Sequence, residues 1–371
     1  MRKPLASLGI IMAASFGVVV LLLAAPVPVW RTGRLPVAPL ALVQNGPAIE
    51  RPDRIWIDTD SACGLTRHTD PDDCLALLLL AGAEHIKIVG ISSVFGNADL
   101  ATTDRTARAL AAKLRIDGAK IPKIWRGAPA PGVSASPAQL ALQHALAQDP
   151  LTIVALGPLT TLAAALHGRP DLQAKVERVV GVMGRRPGHI FHPSEGDGDG
   201  MLWGHGPIFR DLNFDEDRDA AAEVIGMGLP LSLIPYDVAR NISLTASDLD
   251  RIARSGAAGA WIASSARAWL DFWRDDIGLD GFHPFDLLAA AYVIDPERFH
   301  CADVVAWVGH DERLGNFWPF DPVALQVDLP VSSPQNAPVE SRAIYCVAIE
   351  PTLHPWLMDR LAGASALNEQ G

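Results

Sequence analysis

Four carboxylates lie close together in the first quarter of the chain. Asp58 and Asp60 end the run I-W-I-D-T-D, and Asp72 and Asp73 open the apolar run C-L-A-L-L-L-L. The first pair stands at a strand end, where one side chain is expected to face a site while the other braces the loop. The second pair begins a helix, where neighbouring side chains diverge by about 100°. One of these can bind a cation while the other addresses a water or substrate. Four clustered carboxylates repel one another unless a cation neutralises them. Hard oxygen donors suit Ca2+ or Mg2+, and no Cys or His set competes for zinc. Acidic residues also favour helix N-termini simply as caps, and D-x-D alone occurs in many folds. The combination of strand, D-T-D, loop and D-D ahead of an apolar helix is much more specific.

Such a cluster needs elements that bring it together. From residue 55 onward, short β-branched runs (55–57, 86–94, 151–156, 176–182, 231–235) alternate with helical segments (73–82, 101–114, 159–166, 220–227, 257–274). This alternation predicts an α/β fold with a mostly parallel central sheet flanked by helices. Two further strand-like runs, 323–327 and 343–349, precede a final helix near 355–362. Ligands bind at the carboxyl ends of strands in such sheets. At those ends stand Asp58-Thr59-Asp60, Phe95-Gly96-Asn97, Gly157-Pro158-Leu159-Thr160 and Met183-Gly184. Residues 187–210, rich in Gly and His and without periodicity, read as a long loop, either a lid or a disordered segment.

The chain has 371 residues and a formal net charge of −11, so it lacks the basic stripe that nucleic-acid binding needs. Its 49% apolar content supplies ample core for one large domain over 53–371. The N-terminus differs: Arg2 and Lys3 precede an apolar stretch from Leu5 to Trp30. That pattern reads as an export signal peptide or a signal-anchor helix over 1–30, with the body on the far, periplasmic or extracytoplasmic side of the membrane. Residues 31–52, Pro-rich and aperiodic, read as a linker. Four cysteines and no C-x-x-C argue against a zinc ribbon. Cys63 and Cys74 either pair or stay as buried thiols.

The motifs, taken in order, resemble the inosine/uridine-preferring nucleoside hydrolase family. I-W-I-D-T-D followed by P-D-D-C-L-A-L resembles its opening D-T-D-P-G-x-D-D-x-x-A-L. Next come V-F-G-N at 94–97, W-R-G-A at 125–128, L-G-P-L-T at 156–160, V-G-V-M-G at 180–184, D-L-N at 211–213, P-Y-D-V at 235–238 and D-L-L-A-A-A-Y at 286–292. The resemblance implies a Rossmann-like α/β fold and a Ca2+-dependent N-ribohydrolase that splits a ribonucleoside, working as a homodimer or homotetramer. It implies that Asp60, Asp73, Asp286 and the carbonyl of Leu156 ligate Ca2+, that Asp58 supports them, and that Asp72 is the general base. Asn97, Met183, Asp211 and Asn213 would meet the ribose. A carboxylate that takes a proton from a metal-positioned water suits cleavage through an oxocarbenium-like state.

The chain departs from the pattern in three places. The segment between Asp60 and Asp72 is longer than usual and carries an extra carboxylate, Asp70. Where many members place a His as acid for the leaving base, this chain has Phe285, with His283 two residues earlier as either the acid or a turn histidine. The stretch 187–210 is enlarged, and its G-D-G-D-G lacks EF-hand spacing. Members without the His acid stack the base on Trp; Trp273 is the first candidate here and Trp269 the second, against a core role for both. Two rival readings remain. One is a Ca2+-dependent ribosyl-ligand binding protein with little turnover. The other is a D-x-D-x-T phosphatase, for which Thr66 lies too far along and no Lys is evident.

Overall fold

Ile55, Trp56 and Ile57 are all buried, which requires a strand covered on both faces. A computed structural model, described here for residues 52–189, 191, 210–312, 323–329 and 340–363, provides that cover. A nine-stranded sheet runs in the order β3-β2-β1-β4-β5-β6-β9-β7-β8. Its strands are β1 (Arg54–Thr59), β2 (Lys87–Ser93), β3 (Ile124–Arg126), β4 (Leu151–Ala155), β5 (Val176–Gly181), β6 (Leu231–Leu233), β7 (Phe299–His310), β8 (Val323–Asp328) and β9 (Glu340–Ile349). Pairing is parallel from β3 through β6 to β9, and antiparallel where β7 meets β9 and β8.

The described α-helices are α1 (Asp72–Ala81), α2 (Leu100–Ile116), α3 (Pro137–Gln148), α4 (Thr160–Leu166), α5 (Pro170–Gln173), α6 (Leu212–Glu216), α7 (Arg218–Gly226), α8 (Tyr236–Ala239), α9 (Ala246–Ile252), α10 (Ala257–Phe272), α11 (Phe285–Ile294) and α12 (Leu353–Gly363). A π-helical turn, Trp273–Ile277, extends α10. Side chains alternate across a strand. Ile55 and Ile57 therefore pack with α1, α2, α10 and α11, while Trp56 packs with α3, α4 and α7 on the other face. The sequence-predicted strands and helices all appear. Two strands were not predicted: the three-residue β3, and β7, whose F-H-C-A-D-V-V-A-W-V-G-H mixes Ala, Asp and Gly into its pattern.

Helices α1 and α11 position the site. Both are apolar on every side and lie against each other beneath the sheet edge. A helix with no polar face must be buried all round. Their N-termini consequently meet, bringing Asp72 and Asp73 to Asp286. Two disulfides are present, Cys63–Cys74 and Cys301–Cys346, the latter joining facing residues of β7 and β9. The first resolves the open question on Cys63 and Cys74. The predicted export segment, 1–30, and all but the last residue of the predicted linker, 31–52, lie outside the described residues. Among the described residues, no helix is long and apolar enough to cross a membrane.

Candidate active site

Strand β1 ends at Thr59, and the chain turns so that the Asp60 carboxylate lies beside those of Asp73 and Asp286. One oxygen from each of the three lies within 4.8 Å of the others, and all three residues are buried. Asn97 fixes their spacing. Its backbone N–H donates to Asp60 Oδ2 (2.8 Å), and its Nδ2 donates to Asp60 Oδ1 (3.3 Å) and Asp73 Oδ2 (3.2 Å). The hydroxyl of Thr59 also donates to Asp73. The glycine of V-F-G-N is required here: Gly96 has φ 151°, and a Cβ on it would strike Asp60 Oδ2.

Burial pushes Asp73 up to about 7, with Asp72 adding repulsion. Burial and then the neighbouring carboxylates push Asp60 and Asp286 well above the usual range. Such a group cannot ionise fully without a cation. Three hard carboxylates form a donor set of the Ca2+ or Mg2+ type. Asp58 lies beneath the cluster. Ser92 Oγ donates to its Oδ1 (2.5 Å), its carbonyl accepts from Leu156 N (2.8 Å), and burial pushes its carboxyl up to about 7. It ties β1 to β2 and to the end of β4.

Asp72 is oriented by backbone donors on both oxygens. Asp73 N donates to its Oδ1 (3.1 Å) and Asp286 N to its Oδ2 (2.8 Å). Asp70 Oδ1 accepts from Asp72 N (3.1 Å), so the extra carboxylate caps α1 and stands outside the three-carboxylate group. Burial raises Asp72 as well.

Asp72 and Asp286 form the floor of a cavity of about 180 Å3, whose walls include Asn97, Leu156, Met183, Asp211 and Asn213, while Asp60 and Asp73 stand behind that floor, outside the lining. Asn213 Nδ2 donates to Leu156 O (2.8 Å) and Val182 O (3.1 Å), joining the ends of β4 and β5. Asp211 Oδ2 accepts from Gly184 N (2.7 Å), and burial pushes its carboxyl up to about 7.

Two sequence expectations need correction. His283 does not line the cavity: its Nδ1 lies 2.9 Å from Ile242 O and its ring packs edge-on against Trp273 at 4.7 Å. Proline 284 separates it from α11, and the turn carries the imidazole behind the wall. Trp273 is fully buried beside it, and Trp269, one helical turn earlier, forms the wall instead. Phe285 stands on the wall where an acid was sought.

Sequence reasoning missed His68, Phe191, Arg210 and Tyr236 among the lining residues. Tyr236 was findable from P-Y-D-V. Arg186 grips Asp237 with two hydrogen bonds (2.9 and 3.1 Å) and Tyr345 OH donates to it (2.9 Å), which locks the turn and turns Tyr236 toward the cavity. Phe191 stacks on Tyr236 at 4.8 Å. His192 and His205 lie outside the described residues.

The family model for the inosine-uridine preferring nucleoside hydrolase matches residues 55–329. The pyrimidine-specific ribonucleoside hydrolase RihA of Enterobacter sp. (strain 638) is 29% identical over 166 residues, which is 43% of this chain and 47% of that protein. This chain thus spans about half the length of that relative. The pyrimidine-specific ribonucleoside hydrolase RihA of Citrobacter koseri is 25% identical over 64% of this chain and 80% of its own. Among solved structures, the purine-preferring ribonucleoside hydrolase from Gardnerella vaginalis superposes with a TM-score of 0.65 at 19% identity, over 85% of this chain and 99% of that one. At that identity the likeness is one of fold.

Proposed function

Because the chain belongs to the inosine-uridine preferring nucleoside hydrolase family, we propose that it hydrolyses the N-glycosidic bond of a ribonucleoside to ribose and free base, with Ca2+ at the carboxylate cluster. The convergence of Asp60, Asp73 and Asp286 carries this reading, since buried carboxylates so close together call for a cation. Those three side chains and the carbonyl of Leu156 would hold it. When bound, the ion supplies a polarised water and a grip on the ribose hydroxyls.

The chain's own groups do the rest. Asp72 takes the proton of the attacking water, its two oxygens held by the N–H groups of Asp73 and Asp286. Asp211 and Asn213 Oδ1 hold ribose hydroxyls, Met183 packs against the sugar, and Asn97 keeps the ligand carboxylates at their spacing. Trp269, Tyr236 and Phe285 give the base an apolar wall. The rival reading, a binding protein with little turnover, leaves the oriented Asp72 without a task. The apolar N-terminal stretch and the two disulfides favour an exported protein, because disulfides persist in oxidising compartments.

Ribose release from purine and pyrimidine nucleosides, assayed before chelation, after it, and after Ca2+ is restored, tests the reading. Release that stops and then returns is expected. Release indifferent to chelation contradicts it.

A further inference from the structure

The segment between Asp60 and α1 does more than lengthen a loop. Residues 61–71 are fastened at several points. Cys63 is joined to Cys74 on α1. Gly64, at φ 69°, lies so close to α10 that a Cβ would strike the carbonyl of Ser265. Arg67 reaches across to the end of α10, donating to Asp276 Oδ2 (2.5 Å), Asp275 Oδ2 (3.3 Å) and the carbonyl of Asp271 (3.3 Å). A tight turn closes on itself, with Thr66 N donating to Thr69 Oγ1 (2.7 Å) and His68 N donating to Thr66 Oγ1 (3.2 Å). This turn presents His68 at the cavity's rim, its ring edge-on to Phe272 at 4.9 Å. Phe272 in turn packs on Trp269 at 5.2 Å, so the imidazole and the indole on the wall share one aromatic support.

The position from which an imidazole was expected, at the head of α11, holds Phe285, and His283 faces away. Among the described residues lining the cavity, His68 is the only histidine. The carboxylate floor is buried and His68 is exposed at the opening. A ribose seated on the floor directs its base toward the rim.

We propose that His68 is the catalytic residue that protonates the leaving base, supplied by the fastened segment 61–71 instead of by α11. The proposal rests on the ribohydrolase reading above. In the step, Asp72 takes a proton from water and the water oxygen bonds to C1′ of the ribose. The C1′–N bond breaks, its electron pair passes to the base, and the imidazolium N–H of His68 gives its proton to a ring nitrogen of the base. Solvent at the rim returns that proton to His68.

The test compares inosine and uridine with p-nitrophenyl β-D-ribofuranoside, whose phenolate leaves without protonation. In His68→Ala and His68→Gln, kcat/KM on whichever nucleoside the wild type turns over is expected to fall by about 100-fold or more, with far less loss on the nitrophenyl riboside. Gln, which donates a hydrogen bond but transfers no proton, is expected to do no better than Ala. An equal loss on all substrates, or no loss on any, overturns the assignment of His68. Wild-type protein that releases ribose from neither nucleoside nor from the nitrophenyl riboside would instead overturn the underlying ribohydrolase reading, so the two failures are distinguishable.

Discussion

The backbone N–H of Asp286 donates to Asp72 Oδ2 at 2.8 Å, across 214 residues of sequence. This one hydrogen bond joins the N-termini of α1 and α11. It holds the proposed base next to a proposed metal ligand and fixes the direction in which the carboxylate presents its remaining lone pairs.

Asn97 spans Asp60 and Asp73 with its side-chain nitrogen. Asn97→Ala removes both hydrogen bonds and lets two buried carboxylates drift apart. Ca2+ affinity, measured by titration calorimetry, is expected to fall by about 10–100-fold. Unchanged affinity would show that the spacing is set by the backbone alone.

Asp211 gives a pH-dependent signature. Burial raises its carboxyl from 3.8 to about 7 in the folded chain. A carboxyl raised on folding contributes stability that is fully present below the unfolded value and is lost as pH rises through the folded one. Asp211 therefore costs the protein stability between about pH 4 and pH 7. Asp211→Asn keeps an acceptor for Gly184 N and does not titrate. Thermal melts across that window are expected to show a smaller decline for the variant than for the wild type. Parallel declines would refute the shift.

The Cys63–Cys74 disulfide closes a loop of sequence separation 11. Chain-entropy arguments assign a loop of that size about 3 kcal/mol. Cys63→Ser with Cys74→Ser is expected to lower the melting temperature accordingly, and to weaken Ca2+ binding because Asp60 and Asp73 flank the joined residues. A double variant as stable as the wild type under oxidising conditions would show that the segment is held by Arg67 and its packing alone.

Much of this was legible in the residues. The alternation of apolar runs and helices foretold the parallel sheet, the carboxylates ending β1 and opening α1 foretold that Asp60 and Asp73 would cluster, and the family resemblance added Asp286. Those signals are local, because periodicity and helix-opening charges lie within a few residues of one another. What stayed hidden depends on three-dimensional aim. Whether His283 or Phe285 faces the cavity turns on how Pro284 re-aims one short turn. Whether Trp269 or Trp273 forms the wall turns on the rotation of α10 and the π-helical turn that follows it. His68 was invisible because a lone histidine in an irregular segment has no pattern, and only the disulfide and Arg67 bring it to the rim. Strand β7 escaped because its Ala, Asp and Gly blur the period that its antiparallel neighbours enforce.

In the proposed mechanism Asp60, Asp73 and Asp286 bind the cation while Asp72 serves the water. Asp72→Asn separates these roles most directly, with Ca2+ titration and ribose release measured on the same preparation. The variant is expected still to bind Ca2+, with its kcat lowered by about 100-fold or more. A variant that releases ribose at the wild-type rate, or a wild-type protein that binds no Ca2+, would contradict that mechanism.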